Sequence, residues 1–262
     1  ANVVAAGFYA LQNEADAPDA LLERVRSASR ASGSSLMVSG IDPGWNMDIL
    51  PVMLTALSSK ITEIRAQEVM NYRDYHQPDI VRHTVGFGLP MHEMPPMLTT
   101  ESLHGIWGPM VRAMGKALDC PIDRITSTVE RRPLEETADV PGMGLFEAGT
   151  MGAFRFQVIG HHGGRQPFVI EHVTRIDDAC APDWPYPAEG AGCHRIIIAG
   201  NPVVNVTVRS EDPRDPGPAS GGNATAACRL VNAIPAVCAA PSGLVEAASI
   251  PLAAAGGQLD VG

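Results

Sequence analysis

Apolar positions follow two different periods along this chain. Residues 2–6 (NVVAA) form a short β-prone run that reads as a buried strand ending at Gly7. Asp16 and Pro18 then open a helix in which Leu21, Leu22, Val25 and Ala28 recur at helical spacing, and Gly33 closes it. Residues 35–41 (SLMVSGI) read as a second buried strand ending in a turn at Asp42-Pro43-Gly44. Together these predict a β–α–β unit with a parallel sheet. A helix is expected from about residue 47 to 58, with Asp48 in its first turn. A strand follows over 61–72, and a Pro-, Gly-, Met- and His-rich loop or lid over 73–100. Residues 101–119 predict one helix, with Leu103, Ile106, Trp107, Met110, Val111, Met114 and Leu118 on one face.

The middle of the chain changes to β-branched alternation, over 122–131, 144–160, 166–176, 194–199 and 203–209. The turn His161-His162-Gly163-Gly164 joins two of these as a hairpin. A helix starts near Asn223 or Thr225 and runs to about Cys238, with Pro235 as a kink, and an Ala/Gly-rich, poorly ordered tail follows residue 250.

Composition narrows the function. Gly (26) and Pro (22) are 48 of 262 residues, so short elements and turns abound, while 45% apolar residues provide for a real core. The net charge of −10 argues against a nucleic-acid surface and against an anionic membrane. No apolar run is long enough to span a bilayer. Five scattered cysteines read as a reducing, cytoplasmic setting. The chain starts at Ala1, inside what reads as a strand.

Motif searches return mostly negatives. Gly86-Phe87-Gly88 and Gly142-Met143-Gly144 lack the third glycine and the strand-to-helix setting of a dinucleotide fingerprint. The neighbours His161 and His162, and Glu171 and His172, point apart on a strand, so no metal site is predicted; the histidines read as solvated turn residues and the cysteines as isolated core residues. The informative segment is residues 39–48. It leaves the C-terminal end of a parallel strand, where open α/β sheets bind ligands, and it carries Gly44 and Trp45.

Residues 39–51 (SGIDPGWNMDILP) resemble the G-x-N-P-G-[FW]-x-x-D segment of the 2,4-diaminopentanoate dehydrogenase and native amine dehydrogenase family, which includes dihydrodipicolinate reductase-like proteins. Residues 223–244, with their V-N-A-I-P core, resemble that family's C-terminal helix; residues 171–176 and 129–136 also look familial. The resemblance implies an NAD(P)-dependent oxidoreductase acting on a C=O or C=N bond of a small molecule, with NADP or NAD as cofactor and a homodimer as assembly. It implies an α/β remnant of a Rossmann domain over 1–42, onto which helix 224–240 packs back. An α+β substrate-binding and dimerisation domain with a large mixed or antiparallel sheet would cover 43–223. The phosphate-binding half of the Rossmann domain would precede Ala1, and the chain alone is expected to be inactive.

By the same resemblance Gly7, Phe8, Pro43, Gly44, Asn232 and Ile234 lie at the cofactor, and Trp45 lines the site. Tyr72, Tyr75 and His104 are candidate substrate contacts from the second domain. Amine dehydrogenases of this family carry a glutamate in the turn after the first strand here, and this chain has Gly7-Phe8-Tyr9 instead. Without that counter-charge, Tyr9 stands as general acid to a carbonyl or as a packing residue against 44–58. The alternative to an enzyme is a non-catalytic ligand-binding or dimerisation module of the same fold.

Overall fold

The computed structural model describes the chain except residues 13, 76, 216–219, 251, 252, 257 and 259–262. In order it contains β1 (Val3–Ala5), α1 (Asp19–Ser32), β2 (Ser35–Val38), α2 (Ile49–Leu54), β3 (Lys60–Asn71), α3 (Thr100–Ile106) and α4 (Gly108–Ala117). Then come β4 (Arg124–Pro133), β5 (Ala138–Val140), β6 (Gly144–Phe146), β7 (Met151–His162), β8 (Arg165–Arg175), β9 (Gly192–Asn201), β10 (Val204–Val208), α5 (Ser220–Ala239) and β11 (Gly243–Leu244).

Two sheets carry the architecture. The smaller is parallel, in the order β1-β2-β11, with Ala5 opposite Val38 and Leu244 opposite Leu36. Met37 of β2 buries against Ala233 and Val237 of α5 and Ile49 of α2. The larger is a mixed six-stranded sheet, β10-β9-β3-β8-β7-β4, in which only β3 and β8 run parallel. One face of it (Ile64, Ala66, Phe154, Phe156, Phe168, Ile170, Ile196) packs under α3 and α4 through Trp107, Met110, Val111 and Met114.

Several expectations change. β1 is an edge strand with Val3 47% exposed, not a buried one, because among the described residues it pairs with β2 alone. The helix expected over 47–58 is α2 followed by a 3-10 turn at Thr55–Leu57, and Asp48 caps α2 by accepting from the Ile49 N–H instead of lying inside its first turn. Residues 73–100 are not a lid: Val81, Val85, Phe87 and Leu98 are buried in the main core, and Ile80–Val85 forms a π-helical turn. The single helix of 101–119 breaks at Trp107, where Gly108 and Pro109 restart it; proline has no N–H to continue the ladder. The run 144–160 divides into β6 and β7. The hairpin turn is Gly163-Gly164, both at positive φ, while His161 stays in β7, only 6% exposed, with its Nε2 2.7 Å from Thr126 Oγ1. Cys228 and Cys238 are exposed, so only part of the cysteine set is core. Pro235 lies inside α5, which begins at Ser220, earlier than expected. The tail after residue 250 falls largely outside the described residues. No helix among the described residues is long and apolar enough to cross a membrane.

Candidate active site

The turn after β2 is built on a close backbone approach. Gly44 has φ +137°, and a Cβ there would lie 2.5 Å from the Gly40 carbonyl oxygen, so only glycine fits. Trp45 N–H donates to Gly40 O (3.0 Å) and Met47 N–H to Gly44 O (2.8 Å), which fixes the loop. The Asp42 side chain turns inward and is 5% exposed.

Four strands of the large sheet meet it with one cross-strand row. Phe156, His172, Glu68 and His194 stand opposite one another on β7, β8, β3 and β9. His172 lies between two carboxylates: its Nε2 is 2.8 Å from Asp42 Oδ2 and its Nδ1 3.4 Å from Glu68 Oε1. Glu68 Oε2 is 3.3 Å from His194 Nε2, and the Tyr72 hydroxyl donates to Glu68 Oε1 at 3.4 Å. The Trp107 indole N–H donates to Asp42 Oδ1 at 2.9 Å. Phe156 stacks on the His172 ring (centroids 4.5 Å, 14°) and Trp107 meets it edge-on at 4.9 Å.

This setting shifts the titrations. Burial alone would lower His172, but Asp42 and Glu68 outweigh it and push it up to about 10, so the ring is an imidazolium at neutral pH. Burial opposes charge on Glu68 as well, yet the two histidines hold its carboxyl below the usual range. Burial raises the phenols of Tyr72, Tyr75 and Tyr9, helped by Glu68 for the first two and by Asp42 for Tyr9. Two carboxylates, Asp42 and Glu68, thus flank the single His172 imidazolium.

A cavity opens onto this cluster, lined by Asp42, Glu68, Tyr72, Tyr75, His194 and, from α5, Asn223. Tyr72 and Tyr75 stack at 4.9 Å on its wall. Of the predicted site residues, these two line the cavity directly. Tyr9 is half-buried and electrostatically coupled to both Asp42 and Tyr75, and its 3-10 turn, Tyr9–Leu11, packs against α3 and β2. Trp45 and Asn232 line a neighbouring cavity. Pro43 and Gly44 form the turn itself. Gly7 and Phe8 are exposed, as is Ile234 at 43%. His104 sits on α3, outside the residues lining the cavity.

Sequence reasoning missed Asp42, Glu68, His172, His194 and Trp107 as site residues. Asp42 lay inside the turn already singled out. Glu171 and His172 do point apart, but His172 meets its partners from other strands: the ligating atoms of Asp42, Glu68 and His172 lie within 4.8 Å of one another, close enough for a metal ion. To bind one, His172 would first have to lose the proton that both carboxylates stabilise.

Comparison with known proteins follows the same line. Residues 45–259 match the family described as 2,4-diaminopentanoate dehydrogenase C-terminal domain. An amine dehydrogenase of Streptomyces virginiae is 44% identical over 258 residues, which is 98% of this chain and 71% of that protein. The amine dehydrogenase of Mycobacterium smegmatis shares the fold, with a TM-score of 0.65 at 17% identity over 94% of this chain and 67% of its own. The chain therefore belongs to the 2,4-diaminopentanoate dehydrogenase and amine dehydrogenase family of oxidoreductases.

Proposed function

We propose that this chain holds the substrate side of an NAD(P)-dependent amine dehydrogenase, with the Asp42–His172–Glu68 cluster facing the substrate nitrogen. One observation carries the reading: two buried carboxylates held around one imidazolium open onto a small cavity walled by tyrosines. An ammonium or iminium brought into such a cavity needs a counter-charge. The turn at Gly7-Phe8-Tyr9 offers none, and Asp42 does, at the position where the family segment has asparagine.

The chain's edge fits the nicotinamide end of a dinucleotide. β1 and β2 run parallel in register, so the turns carrying Gly7, Phe8, Pro43 and Gly44 leave the same edge. Gly7 has open space where a Cβ would be, and the Phe8 ring is 63% exposed. When bound, the nicotinamide supplies the hydride donor or acceptor. The chain's residues do the rest. Asp42 accepts N–H bonds from the substrate and takes the proton that an ammonium must lose before its carbon can be oxidised. His172 and the Trp107 indole hold that carboxylate in place. Tyr9 and Tyr75 keep their protons at neutral pH and donate to a carbonyl or carbinol oxygen, while the Tyr72 hydroxyl stays on Glu68. The expected homodimer belongs to this reading, with the outer face of the six-stranded sheet as the contact; a monomer by light scattering would remove it.

The test is Asp42→Asn in the full natural chain, assayed on a panel of amines, and of ketones with ammonia, with both nicotinamide cofactors. Loss of a positioned acid–base group lowers kcat/KM by about 10²–10⁴-fold. Unchanged amine turnover in the Asn variant would overturn the proposal.

A further inference from the structure

Beside the cavity of the acid–base cluster lies a second one of about 410 Å³, lined by Ile41, Trp45, Met53, Thr225, Arg229 and Asn232 among others. Arg229 stands out in it. The residue is 8% exposed, yet its Nε and Nη2 are buried with no hydrogen-bond partner. It forms no ion pair among the described residues. Asp48 stands close enough to act on it electrostatically, but that carboxyl is engaged in capping α2. Burial presses the guanidinium towards its neutral form and burial likewise raises Asp48, to about 6, so neither group is fully compensated by the other.

Buried guanidinium N–H groups are nearly always paired, because leaving them dry and unpaired is costly. A cavity-lining guanidinium with two unused donors carries the planar fork that receives a carboxylate or phosphate side-on. Position adds to this. Ala226 lines the first cavity and Arg229 the second, three residues on along the same face of α5, and Ile41 borders both. A ligand lying along α5 can therefore present a cationic or carbonyl group to Asp42 and an anionic group to Arg229.

We infer that Arg229 is the anchor of an oxyanion-binding site, taking a carboxylate or phosphate group of a ligand whose other end reaches the Asp42 cluster. It rests on the reading of that cluster only for the ligand's second end; the anion site is tested by itself. The probes are inorganic phosphate and acetate, titrated into wild-type protein and into Arg229→Gln and Arg229→Lys. The readout is the indole ¹H–¹⁵N resonances, with Trp45 assigned through Trp45→Phe. Saturable shifts of the Trp45 signal in wild type, weakened at least tenfold in the Gln variant and partly kept in the Lys variant, are expected. In turnover, a raised KM confined to carboxylate-bearing substrates assigns the anion to the substrate, and a raised Kd for the dinucleotide measured by calorimetry assigns it to the cofactor. If phosphate and acetate leave Trp45 unmoved, or move it equally in wild type and in a folded Gln variant, the site does not exist.

Discussion

Two buried glutamates sit in adjacent cross-strand rows of one sheet and face opposite ways. Glu171, on the outer face, lies in the row Gln157–Glu171–Gln67–Arg195. It accepts from Arg65 (2.9 Å), Gln67 (2.6 Å), Arg155 (2.8 Å) and Gln157 (2.9 Å). Glu68, on the inner face, has among the described residues only looser partners at 3.3–3.4 Å, two of them imidazoles and one a phenol. Burial opposes charge on both, and the partners outweigh it in both. The difference lies in what the partners can do. Amide NH2 and guanidinium groups donate to it without exchanging a proton at ordinary pH, so Glu171 is locked. Histidines and tyrosines exchange protons, so Glu68 is connected to a site that can react.

The strongest break of this contrast is Glu171→Ala. It removes the shared partner of Arg65 and Arg155, both less than a third exposed, and should cost about 3–5 kcal/mol. Calorimetry would show a fall in Tm on the order of 10 °C; a fall below about 3 °C would end the claim that Glu171 is structural.

His172 provides the next test. Its folded value of about 10 lies above the ordinary 6.5, so its stabilising effect is complete below pH 6.5 and disappears as pH rises through 10. Denaturant titrations from pH 7 to 10.5 should lose on the order of 3 kcal/mol in wild type and distinctly less in His172→Gln. Parallel curves would refute the assignment.

Trp107→Phe keeps most of the packing on His172 and removes only the N–H to Asp42. A stability loss of about 1 kcal/mol is expected, with activity falling more than in proportion because Asp42 is no longer held. His92→Ala is the smallest: its side chain is 83% exposed and belongs to neither row, so a change beyond about 0.5 kcal/mol would be a surprise.

The strands and the turn after β2 were legible because β-branched alternation and Gly/Pro punctuation are local signals. Tyr72 and Tyr75, which line the cavity, were singled out by the same logic, from the end of a strand. Glu68 and His172 were not, since neither carries a local signature and they meet only through the parallel pairing of β3 with β8. The reading of 73–100 as a lid failed for a related reason. Its Pro and Gly content was visible, but the burial of Val81, Val85 and Phe87 beneath the sheet depends on neighbours far away in sequence.

The parallel pairing of β3 with β8 has a kinetic consequence. Parallel strands cannot close as a hairpin, so β3 waits for β8 to arrive across a long intervening chain, and such non-local contacts are slow to form. The imidazolium of His172 depends on Glu68 from that pairing and on Asp42 from the turn that follows β2 of the smaller sheet. A chain with local hairpins alone would carry a near-ordinary histidine. The raised titration of His172 is thus a reporter of folding as well as of chemistry, appearing only when both sheets have docked.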